Sequence, residues 1–307
     1  MGKVAFVFSG QGAQHPGMGQ DLSVCSPKAA EVFAMADRLR PGTSQQCFAG
    51  EQEELNQTIH TQPCLFAVDL AAARAAQEAG IPCDCVAGFS LGELPALAFA
   101  GALSDEDAFR LVCRRAELMD KAAHENEGVM VAVLRLKAEQ VEEICASFSQ
   151  AWPVNYNCPG QTVVAVAQQE ADALAAAVKQ QKGKAVRLAV SGAFHSPFMH
   201  SAAQGLREYL ADKTIGQPKI PVYANKTAQP YGQGEEAAAI LAAQCESPVL
   251  WQKTVLAMCA DGVDTFIEVG VGKTLCGLVQ KTAPDARVFQ IENKEGLDAA
   301  VAALAQK

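Results

Sequence analysis

Apolar and polar positions along this chain switch repeatedly between two rhythms. Short unbroken apolar runs read as strands buried on both faces. Between them, apolar residues recur every three or four positions, as on one face of a helix. The first run, Lys3–Phe8, predicts a strand ending in a glycine-rich loop, Ser9-Gly10-Gln11-Gly12-Ala13-Gln14, which continues to Pro16-Gly17-Met18-Gly19. Residues 58–63 read as a turn and 64–77 as a helix rich in alanine and leucine. A second run, Cys85-Val86-Ala87, leads through Gly88-Phe89-Ser90-Leu91-Gly92-Glu93 into another alanine-rich helical pattern. Ser104 is placed to cap a third helix, with Asp107 three residues on, that runs to about residue 122.

From residue 128 to 190 the alternation tightens. The pattern predicts a strand at 129–134, a helix at 137–149 and a strand at 152–156. A turn at Asn157-Cys158-Pro159-Gly160 follows, then a strand at 162–167, a helix at 170–182 and a strand at 184–190. This βαββαβ order is that of a ferredoxin-like unit. It predicts a small domain, 128–191, inserted into a larger one formed by 1–127 and 192–307. Farther on, strands at 220–224, 265–269 and 287–291 alternate with helices near 235–245, 248–260, 272–281 and 295–306. Strands separated by helices imply an α/β fold with a mostly parallel sheet covered on both faces.

Composition narrows the classes of function. Half of the 307 residues are apolar and 19% are charged, a globular balance that excludes wholesale disorder. The net charge of −9 argues against nonspecific nucleic-acid binding and against attachment to an anionic membrane. An acidic partner would need a local basic patch; Lys182, Lys184 and Arg187 are one candidate, though their charges read first as a solvated edge. The start of the chain lacks the pattern of a signal peptide, and no apolar stretch reaches membrane-spanning length. The eleven cysteines are scattered and odd in number, which reads as free thiols in a reducing cytoplasm. Only Cys83 and Cys85 lie close together, with no second pair or matching histidine spacing, so no metal site is expected.

Candidate chemistry sits at three places. Gly88-Phe89-Ser90-Leu91-Gly92 follows a strand and opens a helix, the pattern of a nucleophile elbow. Flanking glycines let strand and helix approach while the serine hydroxyl stands clear, and the first amides of the next helix point toward charge developing beside it. A glycine-rich turn without chemistry has the same sequence, so the elbow needs company. In the helix after Ser104, Arg115 interrupts an apolar face of Ala108, Leu111, Val112, Ala116 and Met119. An inward guanidinium requires either an internal carboxylate or an anionic ligand. Of five histidines, His195 is the best placed base, in a loop between a strand end and a helix whose start carries Ser196 and Pro197. His15 is second, and His60, His124 and His200 are expected to face elsewhere. The loop after the first strand lacks the Lys-Ser/Thr ending of a phosphate loop, but it leaves a strand where α/β proteins place ligands.

Taken together, the chain resembles the malonyl-CoA:acyl-carrier-protein transacylase family from about residue 4 to 293. The matching stretches are Phe8-Ser9-Gly10-Gln11-Gly12, Thr61-Gln62-Pro63, the elbow, Arg115, Asn157-Cys158-Pro159-Gly160-Gln161 and Gly192-Ala193-Phe194-His195-Ser196. Ser247-Pro248-Val249-Leu250-Trp251 and Glu268-Val269-Gly270-Val271-Gly272-Lys273 complete them. The resemblance implies an α/β-hydrolase-like core with a ferredoxin-like insertion. It implies Ser90 as the acyl-accepting nucleophile and His195 as its base, with the amides of Gln11 and Leu91 as the oxyanion hole. Arg115 would grip the free carboxylate of malonate, with Gln62, Asn157 and Phe194 as further substrate contacts. The carbonyl of Leu250 would orient His195, in place of the glutamine common there in the family.

The implied reaction moves malonyl from malonyl-CoA to the phosphopantetheine thiol of acyl carrier protein by a ping-pong route, with no bound cofactor. The expected setting is a cytoplasmic monomer in fatty acid biosynthesis, with a polyketide pathway as the alternative. Phe89 stands where the family usually has histidine, and Val271 where proline is common. Phe194 leaves little room for an α-methyl group, which favours malonyl over branched donors. A serine thioesterase would share the elbow and the histidine, and an acyl-binding scaffold would need neither.

Overall fold

The computed structural model describes residues 2–305. Nine strands are present among them: β1 (Lys3–Phe8), β2 (Cys85–Gly88), β3 (Gly128–Leu134), β4 (Ala151–Cys158), β5 (Gln161–Ala167), β6 (Lys184–Arg187), β7 (Val222–Tyr223), β8 (Val263–Val269) and β9 (Arg287–Ile291). Five form one sheet in the order β7-β2-β1-β8-β9, every neighbour parallel. The expected parallel α/β core is therefore present. In β1 every residue from Val4 to Phe8 is buried, as a strand with helices on both faces requires.

The register decides where chemistry can occur. Phe8 of β1 lies level with Gly88 of β2 and with Val269 of β8. The glycine-rich loop, Ser90 and the Glu268–Lys273 segment therefore leave the sheet at one edge, where open α/β sheets bind ligands. Buried Asp69 accepts from Ser9 Oγ at 2.8 Å. A Cβ on Gly270 would lie 1.8 Å from Asp69 Oδ1, so only glycine fits there. Glu268 accepts from the amides of Leu275 and Cys276 and so caps the helix Thr274–Thr282.

The other four strands form an antiparallel sheet, β4-β5-β3-β6, built wholly from residues 128–187. Its order is that of the expected ferredoxin-like unit. Val129, Val131 and Val133 face the unit's own helices in a separate core with Leu136, Val141 and Leu174. The alternate residues Met130 and Ala132 join the main core, so the period of two tells the sheet's faces apart. At the β4 edge, Asn155 bridges to Val249, and Val249 N donates to Val154 O at 2.8 Å. The small sheet is thereby tied to the segment that follows the helix Gly234–Ala243.

Several expectations change in place. Residues 58–63 are not a turn: one helix runs Thr58–Glu78 with Pro63 inside it. Sixteen of its 21 residues are buried, and that packing outweighs the ~3 kcal/mol a mid-helix proline costs. The strand expected to reach 190 ends at Arg187, and the next residues drop into the cleft. The helix expected from 248 starts at Trp251, because Val249 is engaged by β4. Residues 20–57, which the apolar rhythm left unassigned, form four short helices, Gln20–Cys25, Pro27–Leu39, Thr43–Ala49 and Gln52–Leu55.

Two glycines test the packing with opposite signs. A Cβ on Gly92 would lie 2.4 Å from Phe8 O and 2.5 Å from Ser9 O, whereas one on Gly277, inside a helix, meets nothing within 4 Å. Gly92→Ala is expected to destabilise by ~1–3 kcal/mol and Gly277→Ala to stabilise by ~0.5–1 kcal/mol. Urea unfolding midpoints check both, and a neutral Gly92→Ala would contradict the close approach.

Candidate active site

Ser90 sits on a tight turn between β2 and the helix Glu93–Phe99, with φ of 54°. That left-handed backbone is uncommon for a residue with a side chain and persists only where its surroundings enforce it. They do so from several sides. Phe89 N donates to Phe8 O at 3.0 Å, Ser90 N to Asn225 Oδ1 at 2.6 Å, and Gln244 Nε2 to Ser90 O at 2.6 Å. A Cβ on Gly88 would lie 1.9 Å from the backbone carbon of Gly92, so the turn closes only with glycine at its shoulders.

His195 is buried and is also left-handed, with φ of 63°. Its Nε2 lies 2.7 Å from Ser90 Oγ. Its Nδ1 lies 3.0 Å from Gln244 O and 3.2 Å from Ser247 O. Carbonyl oxygens only accept, so in the neutral ring the proton is on Nδ1 and the Nε2 lone pair faces the serine. Burial, joined by the nearby Arg115 charge, pushes the His195 pKa down to about 4, so the ring is neutral at ordinary pH. The resemblance implied the Leu250 carbonyl as the orienting group, and those of Gln244 and Ser247 stand there instead. Leu250 caps the helix Trp251–Ala260, and its carbonyl accepts from Thr254 N at 2.9 Å and Thr254 Oγ1 at 3.1 Å. That oxygen is committed to its own helix.

Arg115 comes to the same place from the middle of the helix Asp105–Glu125. One terminal nitrogen donates to Gln62 Oε1 at 2.8 Å. The other donates to Gln244 Oε1 at 2.8 Å and to Ser90 Oγ at 3.2 Å. Among the described residues no carboxylate is hydrogen-bonded to this buried guanidinium, so the internal ion pair that the sequence left open is not formed. The carboxylate whose charge it senses is Glu93, buried in the first turn after the elbow. Burial raises Glu93 to about 7, against bonds from Tyr231, Asn225 N and Gln244 Nε2 that favour its charged form.

Gln11, Ser90, Asn155, Asn157, Phe194 and His195 line one cleft of about 270 Å³ between the two sheets. Leu91 follows the nucleophile in the short turn Ser90–Gly92, ahead of Gly92 N, which donates to Phe89 O. Gln62 stands behind Arg115 and reaches the Gln11 side chain at 3.4 Å. Of the sequence candidates, only Leu250 stands apart from this cluster. The other histidines lie elsewhere: His15 pairs with Glu292, His200 with Glu246, His60 with Arg40, and His124 with the Asp120 carbonyl.

Asn225, Gln244, Glu93 and Asn155 were missed. Glu93 alone left a signal, a carboxylate in an otherwise apolar helix, Glu93-Leu94-Pro95-Ala96-Leu97-Ala98-Phe99. Asn155 and Asn157 share a face of β4, and Oδ1 of each is buried with no hydrogen-bond partner among the described residues.

A serine aligned with a neutral imidazole, beside an uncompensated guanidinium, is an arrangement suited to an acyltransferase. Known proteins agree with that class. Residues 5–306 match the acyl transferase domain family. The chain is 36% identical over 313 residues to the malonyl CoA-acyl carrier protein transacylase of Bacillus subtilis (strain 168), covering 100% of this chain and 99% of that one. It is 37% identical over 306 residues to the Haemophilus influenzae protein of the same name, with coverage of 97% and 98%. The Clostridium perfringens transacylase structure superposes with a TM-score of 0.95 at 33% identity, covering 99% and 98% of the two chains. A malonyl-transacylase in complex with a type II polyketide acyl-carrier protein superposes at 0.94, also at 33% identity, with 98% and 99% covered. The chain belongs to the malonyl CoA-acyl carrier protein transacylase family.

The depressed His195 pKa has a kinetic consequence. The base is lost only as pH falls through about 4, so the burst of nitrophenol from p-nitrophenyl acetate is expected to stay level from pH 7 to 5 and to halve near pH 4. Brief pH jumps under single-turnover conditions check this. A limb near the ordinary histidine value of about 6.5 would contradict a buried, charge-repelled imidazole.

Proposed function

We propose that this enzyme carries malonyl from malonyl-CoA to the phosphopantetheine thiol of acyl carrier protein, with Ser90 as the relay. The observation that carries the reading is Arg115: buried, 3.2 Å from the nucleophile, and held by neutral groups alone, the amide oxygens of Gln62 and Gln244 and the Ser90 hydroxyl. A site built that way attracts a carboxylate at the far end of the acyl group.

Ser90 Oγ attacks the thioester carbon as its proton passes to His195 Nε2. The carbonyl oxygen becomes negative and is received by the amides of Gln11 and Leu91, one such donor being worth ~2.7–4 kcal/mol of barrier. Collapse breaks the carbon–sulfur bond, and the proton on His195 leaves with coenzyme A. The carrier's thiol then gives its proton to His195 and attacks the malonyl ester; the bond from the acyl carbon to Ser90 Oγ breaks, and His195 returns the proton to Oγ. The carbonyls of Gln244 and Ser247 support the transient imidazolium. Asn155 and Asn157 offer acceptor oxygens to amide N–H groups of the pantetheine arm, and Phe194 bounds the acyl site. The cleft lies between a larger unit, 1–127 and 192–307, and a smaller one, 128–191. The same reading makes the enzyme a cytoplasmic monomer with no bound cofactor. Fatty acid synthesis is the favoured setting.

Malonyl-CoA and phosphopantetheinylated carrier are expected to yield malonyl-carrier, read by intact-protein mass spectrometry. Release of free malonate with the carrier unloaded would instead identify a thioesterase. Arg115→Ala is expected to lower kcat/KM for malonyl-CoA by about 10–100-fold, the equivalent of ~1.5–3 kcal/mol of charged hydrogen bonding, and to spare acetyl-CoA. Equal losses for both donors would refute the carboxylate role.

A further inference from the structure

Gln244 touches all three groups of the site and lies on a segment far from each in sequence. It opens a short turn, Gln244–Glu246, after the helix Gly234–Ala243. Its backbone oxygen accepts from His195 Nδ1 at 3.0 Å. Its Oε1 accepts from Arg115 at 2.8 Å, and its Nε2 donates to Ser90 O at 2.6 Å and to Glu93 Oε2 at 3.3 Å. The orientation of the amide follows from its neighbours: two acceptors lie on one side and a guanidinium on the other, so only this arrangement satisfies both. The next residue joins in, since His195 N donates to Cys245 O at 2.8 Å.

We propose that Gln244 is a positioning residue that fixes Arg115 relative to Ser90 and His195 and thereby sets the preference for dicarboxylic over monocarboxylic acyl thioesters. The choice of an amide is the physical point. A carboxylate at the same place would orient the guanidinium equally well but would satisfy its charge, and an incoming malonyl carboxylate would have to break that pair. The neutral oxygen of Gln244 holds the fork in place and leaves its charge for the ligand. Glu93 lies one step further back, on the far side of the amide, and polarises it toward Arg115 without forming an ion pair. Because the contact to His195 is made by backbone, a side-chain change at 244 separates the selecting function from the base.

This inference rests on the malonyl reading above, and the experiment keeps the two apart. kcat/KM for malonyl-CoA and acetyl-CoA is measured for the wild type, Gln244→Leu and Gln244→Glu, with thermal midpoints and the pH profile of the p-nitrophenyl acetate burst. Both variants are expected to lose at least about tenfold of the malonyl-to-acetyl preference; the acidic limb stays near pH 4 in Gln244→Leu and moves up in Gln244→Glu, whose carboxylate offsets the Arg115 charge that helps to depress His195. Gln244→Glu, close in shape, carries the test if the leucine variant does not fold. A wild type with no preference for malonyl removes the malonyl reading and this inference with it. A wild type that prefers malonyl, with variants that lose both donors in proportion, overturns the role of Gln244 alone.

Discussion

A backbone-to-backbone contact that no side chain could enter underlies the whole site. Gly92 packs against the carbonyls of Phe8 and Ser9, and Gly88 against Gly92 itself, so that β1, β2 and the helix after Ser90 meet closer than any residue with a Cβ would allow. The chain between them has little choice of path, and Ser90 is driven into the left-handed region. Asn225, at the end of neighbouring β7, fastens both sides of the turn by accepting from Ser90 N and donating to Gly88 O at 2.6 Å each. Ser90 is thus held by sheet geometry rather than by its own side chain.

Around that fixed hydroxyl the structure buries Arg115, His195, Glu93 and Gln244 together. Each would be costly alone, because polar groups removed from water must find partners inside. They find them in one another and in backbone carbonyls, with neutral amides inserted between the charges of Glu93 and Arg115. The result is a polar cluster whose positive charge is oriented but not cancelled. The same burial that keeps His195 unprotonated leaves its Nε2 lone pair facing Ser90 Oγ.

Much of this was legible in advance. The elbow, the inward arginine and the loop histidine carry distinctive residue types at positions where packing alone would not choose them, and the structure brings the arginine and the histidine within hydrogen-bonding distance of Ser90 Oγ. The βαββαβ order was legible because each strand keeps a period of two and each helix a period near 3.6. Other features were hidden for physical reasons. Pro63 reads as a helix breaker, and only the burial of its neighbours shows why the helix continues through it. The orienting carbonyl was misassigned to Leu250 because any residue supplies a carbonyl, and the sequence does not say which way it points.

By itself the sequence determined which residues could carry the reaction and the order of elements that would deliver them, because side-chain chemistry and hydrophobic period are local properties. Tertiary structure alone decided which carbonyls hold the imidazole, that Arg115 has amides and not carboxylates beside it, and that Gln244 joins three groups from distant parts of the chain. Those are matters of direction and distance between segments 49 to 154 residues apart, and they exist only once the sheet has set its register.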